Sequence, residues 1–191
     1  MKKVVKFGGS SLASAEQFKK VGDIIRADKS RRYVVPSAPG KRSSSDTKVT
    51  DMLYSCYNLA IREKKFTSLL DEIHARYNEI IDGLNLELSL DHEFDMIREN
   101  FGKKIGRDYA ASRGEYLNGI IMANYLGKCD NGSVFFRTVE SRDDSKFFPF
   151  KTKGEQFVCF LVIQTAVFMK ADHFSCIDKT KSQIICHNDT I

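Results

Sequence analysis

Val4-Val5-Lys6-Phe7-Gly8-Gly9-Ser10-Ser11 runs from a short apolar strand through a lysine into two glycines and two hydroxyl residues. Leu12 to Asp28 follows with helical spacing, and Leu12, Ala15, Phe18, Val21 and Ile25 share one face. A strand that stops at Gly-Gly and turns straight into a helix builds an anion site. The glycines let backbone N–H groups approach an oxyanion with no side chain in the way. The helix start contributes unpaired N–H groups and the positive end of its dipole. Lys6 adds a full positive charge beside them. Three sources of positive potential at one point suit the phosphates of a nucleotide. The plain alternative is an ordinary strand-to-helix turn with a surface lysine. No G-x-x-x-x-G-K-[ST] pattern occurs, so this is not a P-loop.

Further along, Arg32-Tyr33-Val34-Val35 reads as a second strand closed by Pro36. Pro36, Pro39 and Gly40 mark a loop that continues through Ser43–Ser45. A helix is expected from about Thr50-Asp51, with Thr50 as its N-cap and Met52, Leu53, Cys56, Tyr57 and Ala60 as its apolar stripe. Further helical patterns run through Phe66, Leu69, Leu70, Ile73, Tyr77 and Ile80, and through Phe94, Ile97 and Phe101. A last one spans about Tyr109 to Leu126. Strand, loop, helix, repeated, implies an α/β fold with a parallel sheet and right-handed crossovers. Ligands then belong at the carboxyl ends of the strands, where Gly8-Gly9 and Ser37 both fall.

The chain has 191 residues and a net charge of +5, with 42% hydrophobic and 29% charged residues. That allows one substantial domain of ordinary soluble composition. Basic and acidic residues intermix, as in Arg62-Glu63-Lys64-Lys65, so no nucleic-acid partner is expected. The longest apolar stretch, Phe157 to Met169, is interrupted by Gln164 and Thr165 and is too short to span a bilayer. Met1-Lys2-Lys3 leads into only two valines before Lys6, which is no secretory core, and a cytoplasmic address is expected. Five cysteines (Cys56, Cys129, Cys159, Cys176, Cys186) without C-x-x-C spacing argue against a disulfide framework and against zinc. The four histidines show no ligand spacing, and no metal site is assigned.

Residue usage changes near Gly127. The segment from Lys128 onward holds four of the five cysteines, nine of the fourteen phenylalanines and two of the twelve glycines, and its only leucine is Leu161. Amphipathic helix spacing disappears, leaving short apolar patches at Val134-Phe135-Phe136 and Phe147-Phe148-Pro149-Phe150. We expect residues 1–126 to form one unit. Residues 127–191 read either as a divergent, strand-rich second half or as a tail translated in a shifted frame.

Three segments taken together resemble the aspartokinase branch of the amino-acid kinase superfamily. They are Lys6-Phe7-Gly8-Gly9-Ser10-Ser11; Val35-Pro36-Ser37-Ala38-Pro39-Gly40-Lys41 with Lys48-Val49-Thr50-Asp51-Met52-Leu53; and Ser112-Arg113-Gly114-Glu115-Tyr116-Leu117. The resemblance covers roughly two thirds of the chain and rests on order and spacing as well as on the segments themselves. It implies a three-layer αβα sandwich, here incomplete, with a mainly parallel central sheet. It also implies transfer of the γ-phosphoryl of ATP to the side-chain carboxylate of L-aspartate. The product, 4-phospho-L-aspartate, stands at the entry to lysine, threonine and methionine synthesis. By the same resemblance Lys6 is the catalytic residue, bridging phosphate oxygens. Lys6, Phe7, Gly8, Gly9 and Ser10 bind the nucleotide, and Mg²⁺ arrives with ATP through phosphate oxygens and water. Ser37 and Thr50 bind aspartate, and Glu115 pairs with its α-ammonium. A homo-oligomer is a candidate assembly.

Each residue has a plainer reading. Ser37 could cap a turn after Pro36, Thr50 could be only a helix cap, and Glu115 with Arg113 could be a solvated surface pair. The chain also departs from the family: after Gly127 it has no F-S-R-G-G-S-D-type segment, which in similar enzymes serves the adenosine pocket and brings an arginine to the aspartate carboxylate. We therefore expect little or no turnover from the isolated chain, and an alternative role as a non-catalytic fragment that binds phosphate-type ligands or joins a full-length kinase subunit.

Overall fold

Val4, Val5 and Phe7 leave the amino-terminal strand almost continuously apolar, as a strand inside a parallel sheet requires. This strand, β1 (Lys3–Phe7), pairs in parallel with β2 (Arg31–Pro36) on one side and β5 (Gln183–Cys186) on the other. A computed structural model describes residues 3–130, 134–140, 156–162 and 183–186. After β1 come a 3-10 turn (Ser10–Leu12), α1 (Ala15–Arg26), β2, α2 (Val49–Ile61), α3 (Thr67–Gly83), α4 (Asp91–Gly102) and α5 (Arg107–Asp130). β3 (Val134–Glu140), β4 (Gln156–Val162) and β5 complete the order. All the described strands form one parallel sheet, β3-β4-β2-β1-β5. The architecture is an α/β fold consistent with an incomplete three-layer αβα sandwich.

The expected apolar stripes are the buried ones. Phe18, Val21 and Ile25 of α1, Met52, Leu53, Cys56, Tyr57 and Ala60 of α2, and Leu70, Ile73, Tyr77 and Ile80 of α3 enter one core. Phe94, Ile97 and Phe101 of α4 join it. Burying each of the larger side chains contributes about 1.5–3 kcal/mol. α5 packs against α2 and beneath β2, β3 and β4, which explains why Leu117, Ile121, Met122, Ala123 and Leu126 are all buried.

Two helix starts differ from expectation. Leu12 belongs to the 3-10 turn, and α1 begins three residues later because Ser14 caps it, its Oγ accepting from the Gln17 N–H at 3.4 Å. Thr50 is not an N-cap. α2 begins at Val49, the capping position is Lys48, and Thr50 lies inside the first turn. The Val49 N–H is already taken by the Pro39 carbonyl at 3.1 Å, so the loop itself closes the helix end. α5 continues past Leu126 to Asp130, so the change in residue usage falls inside a helix. The apolar patch at Val134-Phe135-Phe136 lies in β3, while Phe147–Phe150 lies outside the described residues.

Candidate functional site

Lys6 is the penultimate residue of β1, exposed, in register with Val35 of β2. Its neighbour Phe7 turns its side chain into the core and is 1% exposed. The Phe7 carbonyl accepts the Ser37 N–H at 3.0 Å, so Phe7 reaches the site only through its backbone. Beyond it, Gly8 is open: a Cβ there would meet nothing within 4 Å. Ser10, also exposed, starts the 3-10 turn. The cradle at the tip of β1 is therefore the Gly8–Ser10 backbone and the short turn, with the α1 start set further along the chain.

Gly9 serves a different purpose from Gly8. Its backbone is helical in φ and ψ (−63°, −34°), so no special conformation calls for glycine. A Cβ on Gly9 would lie 2.8 Å from the Ala38 carbonyl oxygen and 3.0 Å from the Gly40 nitrogen. Gly40 in turn donates its N–H to the Gly9 carbonyl at 2.7 Å. A Cβ on Gly40 would fall 2.5 Å from the Gly9 carbonyl carbon. The two loops at the sheet's carboxyl edge thus touch backbone to backbone.

The second loop brings Ser37. Its N–H bonds Phe7, and its carbonyl accepts the Asn118 Nδ2–H at 2.7 Å. Its hydroxyl carries no hydrogen bond among the described residues, so it does not cap a turn. Asn118 is wholly buried on α5, three residues after Glu115 and on the same helix face. Helix α5 comes close to this loop at Gly114, where an added Cβ would lie 2.7 Å from the Ala38 Cβ. The Gly114 carbonyl accepts the buried Tyr77 hydroxyl at 2.7 Å.

Glu115 is half-buried, and among the described residues nothing is hydrogen-bonded to its carboxyl. Burial pushes that carboxyl up, and the Lys6 charge opposes the shift. Lys6 and Glu115, more than a hundred residues apart in sequence, therefore share one electrostatic environment at the end of β1. The Glu115–Arg113 surface pair does not form. Arg113 is 9% exposed, lies against the rings of Tyr109 and Tyr116 with its guanidinium carbon 4.4 and 4.7 Å from their centroids, and bonds Ser112 Oγ. Two residues apart on a helix, the two side chains point away from each other. His74 stacks on Phe94 with ring centroids 4.1 Å apart and stands clear of this site's bonds.

Sequence reasoning missed Arg76, Asn118, the hydroxyl bond of Tyr77 and the packing role of Gly40. A signal for Arg76 existed: it occupies the same stripe as Ile73 and Ile80, where a charge is out of place. Among the described residues no group of three or more His, Cys, Asp or Glu side chains could hold a metal ion. None of the described helices is long and apolar enough to cross a membrane.

The arrangement unites a lysine, an open glycine backbone, a hydroxyl loop and a desolvated carboxylate. It can neutralise a polyanion on one side and take an ammonium on the other. Residues 1–148 match the model of the "Amino acid kinase family". Aspartokinase 3 of Bacillus subtilis (strain 168) is 46% identical over 88 residues, covering 46% of this chain and 19% of that protein. Chloroplastic aspartokinase 1 of Arabidopsis thaliana is 33% identical over 133 residues, covering 64% of this chain and 23% of that protein. The crystal structure of Clostridium acetobutylicum aspartate kinase superposes with a TM-score of 0.65 at 44% identity, over 71% of this chain and 30% of that one. Escherichia coli aspartokinase III in complex with aspartate and ADP shares the fold, with a TM-score of 0.56 at 19% identity over 73% and 31% of the two chains. The chain thus spans about a fifth of the length of the curated relatives it matches. By family match this chain belongs to the amino acid kinase family, and the relatives and solved structures it resembles here are aspartokinases.

Proposed function

We propose that this chain carries the phosphate and amino-acid side of an aspartate kinase site, which transfers the ATP γ-phosphoryl to the side-chain carboxylate of L-aspartate. The reading is supported by the contact of the Gly9 and Gly40 backbones at the carboxyl edge of the sheet, with the desolvated Glu115 carboxyl close enough to feel the Lys6 charge. Phosphoryl transfer asks for positioning and charge neutralisation more than covalent chemistry. Lys6 supplies positive charge where phosphate oxygens gather. The Gly8, Gly9 and Ser10 backbone faces those oxygens. Glu115, partly desolvated and without a hydrogen-bonded partner among the described residues, takes the α-ammonium of the amino acid, which removes the cost of its burial. Ser37 and Thr50 complete the amino-acid side. Mg²⁺ belongs to this reading as a companion of ATP, held by phosphate oxygens and water. A cytoplasmic setting and self-association belong to it too.

Titration calorimetry with Mg-ADP and with L-aspartate tests the reading on the full chain. Lys6→Ala should abolish nucleotide binding, and Glu115→Gln should abolish aspartate binding. Unchanged ADP affinity in Lys6→Ala, or equal binding of L-glutamate and L-aspartate, would refute it. A second reading rests on the residues after Gly127, which include no F-S-R-G-G-S-D-type stretch. In it the chain binds phosphate-type ligands without turnover, or joins a full-length kinase subunit. Transfer of labelled phosphate from ATP to aspartate by the purified chain would exclude that reading.

A further inference from the structure

Arg76 is a buried charge that the site as described does not use. It is 3% exposed on the apolar face of α3. Burying a guanidinium is unfavourable unless it is paired and hydrogen-bonded. All the polar oxygens that Arg76 contacts lie in one loop. Its Nη1 donates to the Thr47 carbonyl at 2.6 Å, and its Nη2 donates to the Gly40 carbonyl. Nη2 also lies 3.0 Å from Asp46 Oδ2. Asp46 is held in turn by the Arg42 N–H at 2.8 Å, by Arg42 Nε at 3.1 Å and by the Thr47 N–H at 2.9 Å.

The clamped stretch, residues 40–47, contains no helix or strand, so these bonds decide where it sits. Gly40 stands three residues after Ser37 and is itself bonded to Gly9 of the phosphate loop. Thr47 stands three residues before Thr50. One planar fork therefore grips the loop between the two proposed amino-acid ligands, beside its contact with the phosphate loop. We infer that Arg76 is the positioning residue of the amino-acid subsite, setting Ser37 and Thr50 against the phosphate loop by holding the Gly40 and Thr47 carbonyls from within the core. This rests on the reading of Ser37, Thr50 and Glu115 given above.

A lysine keeps the charge but cannot span both carbonyls. The test compares the full wild-type chain with Arg76→Lys and Asp46→Asn. L-Aspartate and sodium tripolyphosphate are titrated separately, and amide hydrogen exchange is followed residue by residue. We expect aspartate affinity to fall about tenfold in Arg76→Lys while tripolyphosphate affinity stays within about threefold, because the phosphate loop is anchored through β1 as well. The Gly40 and Val49 amides should exchange about tenfold faster, with α3 and α4 amides unchanged. Asp46→Asn should move the same readouts in the same direction, and it carries the test if Arg76→Lys does not fold. Aspartate affinity within threefold of wild type in the folded variant overturns the inference. So does equal loss of both ligands with faster exchange throughout α3, which would make Arg76 merely structural. A wild-type chain that binds tripolyphosphate but no aspartate overturns the amino-acid subsite itself and the inference with it. That result is distinguishable because it appears before any substitution is made.

Discussion

Adjacent Gly8 and Gly9 should respond differently to the same added methyl group, and a third glycine, Gly40, sets the scale. In Gly40→Ala the new Cβ would sit 2.5 Å from the Gly9 carbonyl carbon, 2.6 Å from the Ser10 nitrogen and 2.8 Å from the Gly9 oxygen. Ordinary contact begins at 3.4 Å, so the closest approach is roughly 0.9 Å too short, and every obstructing atom is backbone. The loops must part, and the 2.7 Å bond from the Gly40 N–H to the Gly9 carbonyl goes with them. Overpacking of this kind costs about 1–3 kcal/mol, and the lost hydrogen bond adds about 1 kcal/mol. For a chain of this size a loss of about 2–4 kcal/mol lowers the melting temperature by about 4–16 °C. Gly9→Ala should shift in the same direction by less, since its nearest contact is 2.8 Å. Gly8→Ala meets nothing within 4 Å and should leave stability within about 0.5 kcal/mol of wild type. If Gly8 is where phosphate approaches, its methyl group should nevertheless weaken tripolyphosphate binding by about tenfold or more. Thermal unfolding by circular dichroism and calorimetric titration of tripolyphosphate give the two readouts. A Gly8→Ala variant that melts as early as Gly40→Ala, or that binds as wild type does, would refute the division of labour.

Glu115→Gln should trade binding for stability. Burial raises the folded-state pKa of Glu115 above its unfolded value, so its favourable contribution exists below the unfolded pKa and is lost as pH rises through the folded one. At pH 7.5 the ionised group is a liability, and the glutamine variant should melt no lower than wild type while losing aspartate; a clear drop in melting temperature at that pH would contradict the assigned desolvation. Tyr77→Phe removes the 2.7 Å bond to the Gly114 carbonyl in a fully buried setting and should cost about 1–2 kcal/mol in urea unfolding, with an unchanged midpoint as the contrary result. Cys56 is fully buried, and its thiol is pushed up to about 12 by desolvation, so iodoacetamide at pH 8 should modify it only on unfolding. Rapid labelling of the Cys56 peptide in the native chain, read by mass spectrometry, would show that its surroundings are open.

Much of the architecture was legible in periodicity. The stripes through Phe18, Val21 and Ile25 and through Phe94, Ile97 and Phe101 belong to helices whose buried face is set by spacing of three and four. Helix ends were less legible, because they depend on single bonds. Ser14 takes over the cap that the apolar pattern would start at Leu12, and the Pro39 carbonyl closes α2 ahead of Thr50. The strands β3, β4 and β5 carry no clean alternation, and β4, paired on both sides inside a parallel sheet, does not need one, because such strands are covered on both faces; β3 and β5 stand at the two edges.

Local order alone determined that a lysine and an exposed glycine backbone would stand at the tip of the first strand, because a strand followed by Gly-Gly has to end there. The resemblance of three separated segments set Ser37 and Glu115 beside it in expectation. Only the tertiary structure decided which glycine packs and which stays open, and that Arg113 turns away while Asn118 turns in. It alone placed Arg76 under the serine loop. Those outcomes depend on where helices α3 and α5 pass the two loops, and distances between elements far apart in the chain are not encoded in the spacing within any one of them.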